Sequence, residues 1–446
     1  MPTYVVAFLS LGCAKNLVNT EQMMALAEKA GHTVVSRPEG ADVAVLNTCG
    51  FIDSAKSEAI ETVLELETLK QQGLLTKILV AGCLTQRYGE EILNELPEAD
   101  GLIGCGSYGE VVSAIEQVME GKTPRLFGDI DAPIQEEDRI LSTPPWMAWI
   151  RIAEGCDNRC AYCVIPSIRG KYRSRTMEDV LAEAELLAGR GVKELIIIAQ
   201  DITRYGADLY GKRSLAPLLS ALCRIEGIHW IRLHYLYPDE IDEELINVVA
   251  KEKKIVHYID IPIQHCNNKI LKAMNRRGSK AELLALIHKL RERIPDLVLR
   301  TSIICGLPGE GEAEFEELCA FLRETEIERA GVFPFSPQEG TKAAALPGQA
   351  DEETVGQRME LLAEIQSRNM DLFNASKLGT VMEVICEGFD SQKNQFWGRT
   401  YADSPDIDGR IYFSAPEQIL AGSFVLVDIT GSEDGDLVGR LSRKQE

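Results

Sequence analysis

Nine residues, GCDNRCAYC, put Cys156, Cys160 and Cys163 at C-x₃-C-x₂-C spacing. Three thiols on one short loop must share whatever they bind, so this stretch constrains the chain more than any other. Thiolates are soft, anionic ligands suited to iron-sulfur clusters or to zinc. A structural zinc site draws a fourth ligand from a second cysteine or histidine pair at set spacing, and none follows here. A [4Fe-4S] cluster held by three cysteines instead leaves one iron open to a substrate or cofactor. Incidental packing thiols are the plain alternative, but reducible thiols seldom crowd one loop without a metal.

The 446-residue chain has room for two to four domains with real cores, and 45% hydrophobic with 26% charged residues describes a soluble, globular protein. The start, MPTYVVAFLSLGC, has no basic leader, and no apolar stretch approaches membrane-spanning length. A cytoplasmic location without membrane contact is therefore expected, with the twelve cysteines as thiols or metal ligands. A net charge of -22 argues against a general nucleic-acid-binding surface and favours a cationic partner.

The expected fold class is α/β, in three parts. In residues 1–138, three β-rich runs end in Cys13, Cys49 and Cys83, with helical patterns over about Thr20–Ala30 and Ser54–Gln71 between them. This β-α-β-α-β order predicts a doubly wound parallel sheet, in which ligands gather beyond the carboxyl ends of the strands. A second three-thiolate cluster is plausible there, with Cys105 as a competitor. Residues 139–376 carry the Cys156 loop and five further apolar runs separated by amphipathic helices, which predicts an open, partial (β/α)6 barrel. Gln200, Gln264 and Arg300 fall at strand ends, where each could touch a cofactor or simply satisfy loop backbone. The basic stretch Arg169, Lys171, Arg173 and Arg175 could steer an anionic group. Residues 377–446 turn to short alternating runs, as in a small antiparallel β-barrel, and seven Lys and Arg against twelve Asp and Glu from Ser376 onward make it acidic. Its Phe396, Trp397 and Tyr401 could stack on bases but fit barrel packing better.

The C-x₃-C-x₂-C loop resembles the radical S-adenosylmethionine (SAM) superfamily, and the order of the three parts resembles the methylthiotransferase family over essentially the whole chain. The resemblance implies two [4Fe-4S] clusters, a SAM-binding one on Cys156, Cys160 and Cys163 and an auxiliary one on Cys13, Cys49 and Cys83. It also implies SAM as cofactor, with Tyr162, Gln200, Gln264 and Arg300 as candidate contacts, and a C-terminal TRAM barrel for substrate docking. No protein acid or base is expected to be catalytic, because one SAM would supply a methyl group and a second a radical. SLGCAKNLVNTE, NTCGFIDSAK, CVIPSIRGKYRSR, AQDITRYG and DIPIQH are similar to the branch that modifies the β-carbon of an aspartate in small-subunit ribosomal protein number twelve. The acidic last domain suits such a basic partner, free or within the ribosomal particle, alongside an electron donor and a sulfur donor. The alternatives are a tRNA adenosine methylthiotransferase and, more distantly, a non-enzymatic iron-sulfur carrier, which would usually close its clusters with four cysteines.

Overall fold

The computed structural model describes residues 2–134, 136 and 138–443. Strands β1 (Val5–Ser10), β2 (Thr33–Val35), β3 (Ala41–Thr48), β4 (Leu75–Gly82), β5 (Gly101–Ile103) and β6 (Arg125–Leu126) form one parallel sheet in the order β2-β1-β3-β4-β5-β6. Helices Ala14–Lys29 and Val111–Met119 cover one face through Met23, Ala27, Ala114 and Val118. Helix Asp53–Gln71 covers the other through Ala59, Val63 and Leu66. With both faces covered, β3 and β4 are buried almost throughout, which is why their middles, Val43–Leu46 and Ile78–Ala81, read as continuous apolar runs. The chain order reverses between β1 and β3, the place where a doubly wound sheet opens a crevice.

The first helix starts at Ala14, ahead of the expected start near Thr20. Its first two turns bury Lys15, Asn16 and Asn19, polar residues that erase the apolar periodicity.

Eight further strands follow: β7 (Met147–Arg151), β8 (Ala153–Glu154), β9 (Arg173–Ser174), β10 (Glu194–Ile198), β11 (Trp230–Leu233), β12 (Ile255–Asp260), β13 (Val298–Cys305) and β14 (Arg329–Pro334). β7 and β10 to β14 are parallel neighbours in chain order, with β7 and β14 at the free edges. The sheet is an open six-unit barrel, as expected. The short antiparallel pair β8 and β9, which brackets the Cys156 loop, has too few residues to leave a pattern.

The last strands, β15 (Val381–Asp390), β16 (Gln395–Thr400), β17 (Ile411–Ser414), β18 (Phe424–Glu433) and β19 (Asp436–Leu441), close a barrel in the order β15-β16-β17-β19-β18. One pairing, β17 with β19, is parallel, so the barrel is not antiparallel throughout. Phe396 stacks on Phe413 inside it, and the Arg410 guanidinium lies 4.5 Å from the Trp397 ring, so both aromatics serve packing.

This barrel caps the amino ends of the central strands, where Trp230, Val256 and Val298 pack with Ile385 and Ala402. Buried Glu194 accepts from Arg232 at 2.9 Å and from Arg399 at 2.6 Å. The loop after β16 reaches inward: Asp403 accepts from Arg329 at 2.9 Å, Ser404 Oγ meets His234 Nε2 at 2.9 Å, and Asp408 accepts from the Tyr258 hydroxyl at 2.6 Å. Asp403 and Asp408 therefore belong to the domain junction and not to an exposed acidic face. No helix among the described residues is long and apolar enough to cross a membrane.

Candidate active site

The Cys156 loop leaves β8 and returns through β9. Gly155 at φ +79° makes the exit turn, and a Cβ there would lie 2.0 Å from the Lys171 carbonyl oxygen, so only glycine fits. The Cys156 N–H donates to the Gly170 carbonyl at 3.1 Å, and Asn158 Nδ2 donates to Asp201 Oδ2 at 2.8 Å. Cys163 Sγ accepts from the Ile165 N–H at 3.5 Å, while Arg276 Nη1 lies 3.7 Å from Cys160 Sγ. All three cysteines line a cavity of about 750 Å³ that also takes in Arg87 and Tyr88 from the first domain. Burial pushes the Cys156 thiol up to about 11 and Cys163 further still, so ligation has to displace their protons.

The other trio lies at the carboxyl ends of three adjacent strands: Cys13 after β1, Cys49 after β3 and Cys83 after β4. The two loops at the crevice touch, since a Cβ on Gly12 (φ +86°) would meet Cys49 Cβ at 2.7 Å. Arg169 joins this trio to the central domain. Its Nε and Nη2 each lie 3.3 Å from Cys83 Sγ; Nη1 donates to Asn19 Oδ1 at 2.9 Å and to Glu154 Oε2 at 3.1 Å, and Nη2 also donates to Asn16. Glu154 further accepts from Arg151 at 2.8 Å and from Gln200. Burial alone would raise the Glu154 carboxyl, yet Arg169 and Arg151 hold it down at about 2. The Cys83 thiol is brought down to about 6, first by a hydrogen bond from Cys105 and then by Arg169, against its burial. Burial pushes Cys49 up to about 11.

The donor chemistry fits the clusters. A buried guanidinium aimed at Cys83 sulfur complements a thiolate, and Gly12 and Gly155 clear backbone room at the two loops. Among the described residues no three His, Cys, Asp or Glu side chains converge closely enough for a single ion, and a four-iron cluster sets its thiolates farther apart than one zinc does.

Arg169 and Arg175 are buried, with Arg175 donating to Glu183 at 2.5 Å, so the basic stretch is mainly internal and only Lys171 within it is fully exposed. Cys105, the competing thiol, lies beside Cys83 and accepts from the Tyr108 hydroxyl at 3.6 Å.

Of the expected SAM contacts, Tyr162, Gln200 and Gln264 lie on loops, whereas Arg300, expected where a strand finishes, is the third residue of β13 and sits inside the sheet. Gln200 is tied to Glu154, with its Oε1 buried and unpartnered. Arg300 on β13 donates to Asp260 at 2.8 Å. Gln264, at φ +71°, forms a backbone bridge to β13 by donating to Ser302 and accepting from Ile304, both at 2.8 Å. Tyr162 packs against an apolar cluster and its hydroxyl accepts from Arg276 at 3.2 Å.

Sequence patterns did not single out Lys15, Asn16, Asn19, Glu154 or Arg276. One signal was present for Lys15: a lysine in the first turn of a helix opposes the macrodipole and calls for a reason. Lys15 is 7% exposed, and its ammonium sits 3.5 Å from the centroid of the Tyr235 ring.

A three-cysteine loop at the mouth of an open (β/α)6 barrel, faced by a second cysteine trio and followed by a small β-barrel, defines a radical SAM protein of the methylthiotransferase class. The Radical SAM superfamily model matches residues 150–322, the model described as uncharacterized protein family UPF0004 matches residues 5–104, and the TRAM domain model matches residues 378–441. The ribosomal protein uS12 methylthiotransferase RimO of Pelotomaculum thermopropionicum is 47% identical over 439 residues, covering 97% of this chain and 98% of the relative. The RimO protein of Acetivibrio thermocellus is 45% identical over 444 residues, covering 98% of each. Among solved structures, the radical SAM methyltransferase TsrM from Kitasatospora setae aligns with a TM-score of 0.57 at 12% identity, over 77% of this chain and 74% of that one, a likeness of fold. The chain belongs to the RimO family of ribosomal protein uS12 methylthiotransferases.

Proposed function

We propose that this chain attaches a methylthio group to the β-carbon of an aspartate in ribosomal protein uS12. The observation that carries the reading is the Arg169 bridge, because one buried side chain touches Cys83 of one trio and, through Glu154, the strand that leads into the Cys156 loop. An unactivated C–H bond offers little to acid-base chemistry. Two [4Fe-4S] clusters and SAM supply the radical and the methylthio group when bound. Cys156, Cys160 and Cys163 would hold the SAM-binding cluster, and Cys13, Cys49 and Cys83 the auxiliary one. Tyr162, Gln200, Gln264 and Arg300 border the place for SAM. Arg276 faces Cys160 and Tyr162 and shields that end from water.

We divide the chain into residues 1–138 for the auxiliary site, 139–376 for the radical SAM core and 377–446 for docking. Exposed Asp406, Glu433 and Asp434 favour a basic protein in the cytoplasm over a polyanion. An electron donor and a sulfur donor complete the partners. The tRNA adenosine reading differs in substrate alone. Mass spectrometry of uS12 and of tRNA from cells lacking this protein tests it: methylthio-aspartate should vanish from uS12 while tRNA stays unchanged. Loss of a methylthio-adenosine instead would overturn the reading.

A further inference from the structure

We infer that Lys15 holds the side-chain carboxylate of the target aspartate, and so sets which amino acid is modified. This deepens the proposed function and rests on it. Most buried arginines of the protein are matched to acids: Arg151, Arg169, Arg232, Arg329, Arg358 and Arg399 each have a carboxylate within 4.0 Å, whereas Arg276 faces Cys160 and Tyr162 at the cluster loop. Among the described residues Lys15 has no carboxylate within 4.0 Å; its partner is the neutral Tyr235, by a side-chain hydrogen bond and by the ring face 3.5 Å from the ammonium. An ammonium taken from water is costly unless an anion or fixed dipoles replace the hydration, and a ring face replaces only part of it. A missing anion is what the substrate brings.

The location agrees. Lys15 is two residues beyond Cys13, on the first turn of the helix that Cys13 opens. Ala14 and Val18 of that helix pack against Met147, Ile196 and Ile198 of the central sheet, and Tyr235 follows β11 at its carboxyl end. The ammonium is therefore wedged between the first domain's thiol site and the carboxyl ends of the central strands. In aspartate the carbon to be modified is bonded directly to the carboxyl carbon. An ammonium that grips the carboxylate therefore fixes the β-carbon within one bond of the gripped group. Asparagine has nearly the same shape and lacks the charge, so a lysine here would reject it.

The test is equilibrium binding of purified uS12, and of uS12 with the target aspartate changed to asparagine, to the full-length cluster-loaded protein with SAM. The parent should prefer aspartate by about 10- to 100-fold, as expected of a charge-assisted hydrogen bond. Lys15→Met should bind the two alike, and Lys15→Arg should retain most of the preference. Iron content and circular dichroism establish that each variant is folded; Lys15→Gln replaces the methionine variant if that one fails to fold. A preference that survives Lys15→Met overturns the inference alone, and would assign the lysine to the charge of the Cys13 site. A parent with no preference also overturns it. A parent that binds tRNA and not uS12 removes the functional reading itself.

Discussion

Arg169→Leu should weaken the junction between the first two domains. The side chain is 3% exposed and donates to Cys83, Asn16, Asn19 and Glu154. Removing one partner of a buried ion pair costs roughly 3–5 kcal/mol when the other is left alone. Glu154 keeps Arg151 and Gln200, which puts its share nearer about 2 kcal/mol. The Asn16 and Asn19 side-chain oxygens lose a donor each, at about 1 kcal/mol apiece. The expected total is about 4 kcal/mol. Urea denaturation of the metal-free protein reads it out through Trp146 and Trp149, which pack against Val18 of the first domain at this junction. A chain of several domains is not two-state, so the comparison is confined to the first transition. Glu154→Gln should be destabilising too, and the double variant should be less damaged than the sum of the single ones by about 1–3 kcal/mol. Additive losses within about 0.5 kcal/mol would refute the coupling and leave Arg169 as a packing residue.

The anaerobically purified parent should carry about eight irons as two four-iron clusters. Replacing Cys156, Cys160 and Cys163 together by Ala should halve the iron and abolish 5'-deoxyadenosine formation, measured by chromatography after reduction. Reversing exposed Asp406, Glu433 and Asp434 to Lys should weaken uS12 binding, and the loss should shrink as salt rises, since screening already weakens the parent; calorimetry across a salt series checks both. Burial first, then nearby Arg232 and Arg300, holds the His234 ring well below its ordinary range. An unfolded histidine takes up a proton below about pH 6.5 while the folded one stays neutral, so stability is full above that pH and falls as pH drops through it. His234→Gln should flatten that slope in denaturation midpoints measured from about pH 7.5 to 5.

The inner parallel strands were legible because both of their faces are covered and their middles are apolar, Val43–Leu46 and Leu195–Ile198 above all, while the short strands β2 and β6 left no such run. The cysteine trios were legible as spacing on one loop and as repeated strand ends. Polar burial was not. Arg169 and Arg175 read as a surface stretch because a sequence does not reveal that Glu154 and Glu183 wait for them across a junction. Asp403 and Asp408 are among the twelve acidic residues that made the last part read as acidic, yet both are tied inward, their partners Arg329 and Tyr258 being distant in the chain. β17 was hidden by its brevity and β19 by Gly439 within it, both held by neighbours in the closed barrel.

The loop of residues 403–408, locked into the floor of the open barrel, makes the last domain a fixed arm of a caliper. Arg399 shares Glu194 with Arg232, and Asp403 is pinned to Arg329, so the small barrel does not swing on its linker. The span from its outer surface to the cysteine loops is then a constant of the molecule. On the docking role proposed for this domain, a substrate gripped by that arm would have to present its aspartate at one set reach from the epitope gripped. Selection by reach would ask nothing of the residues flanking the aspartate, and would let a single enzyme pass over the other aspartates of the same protein.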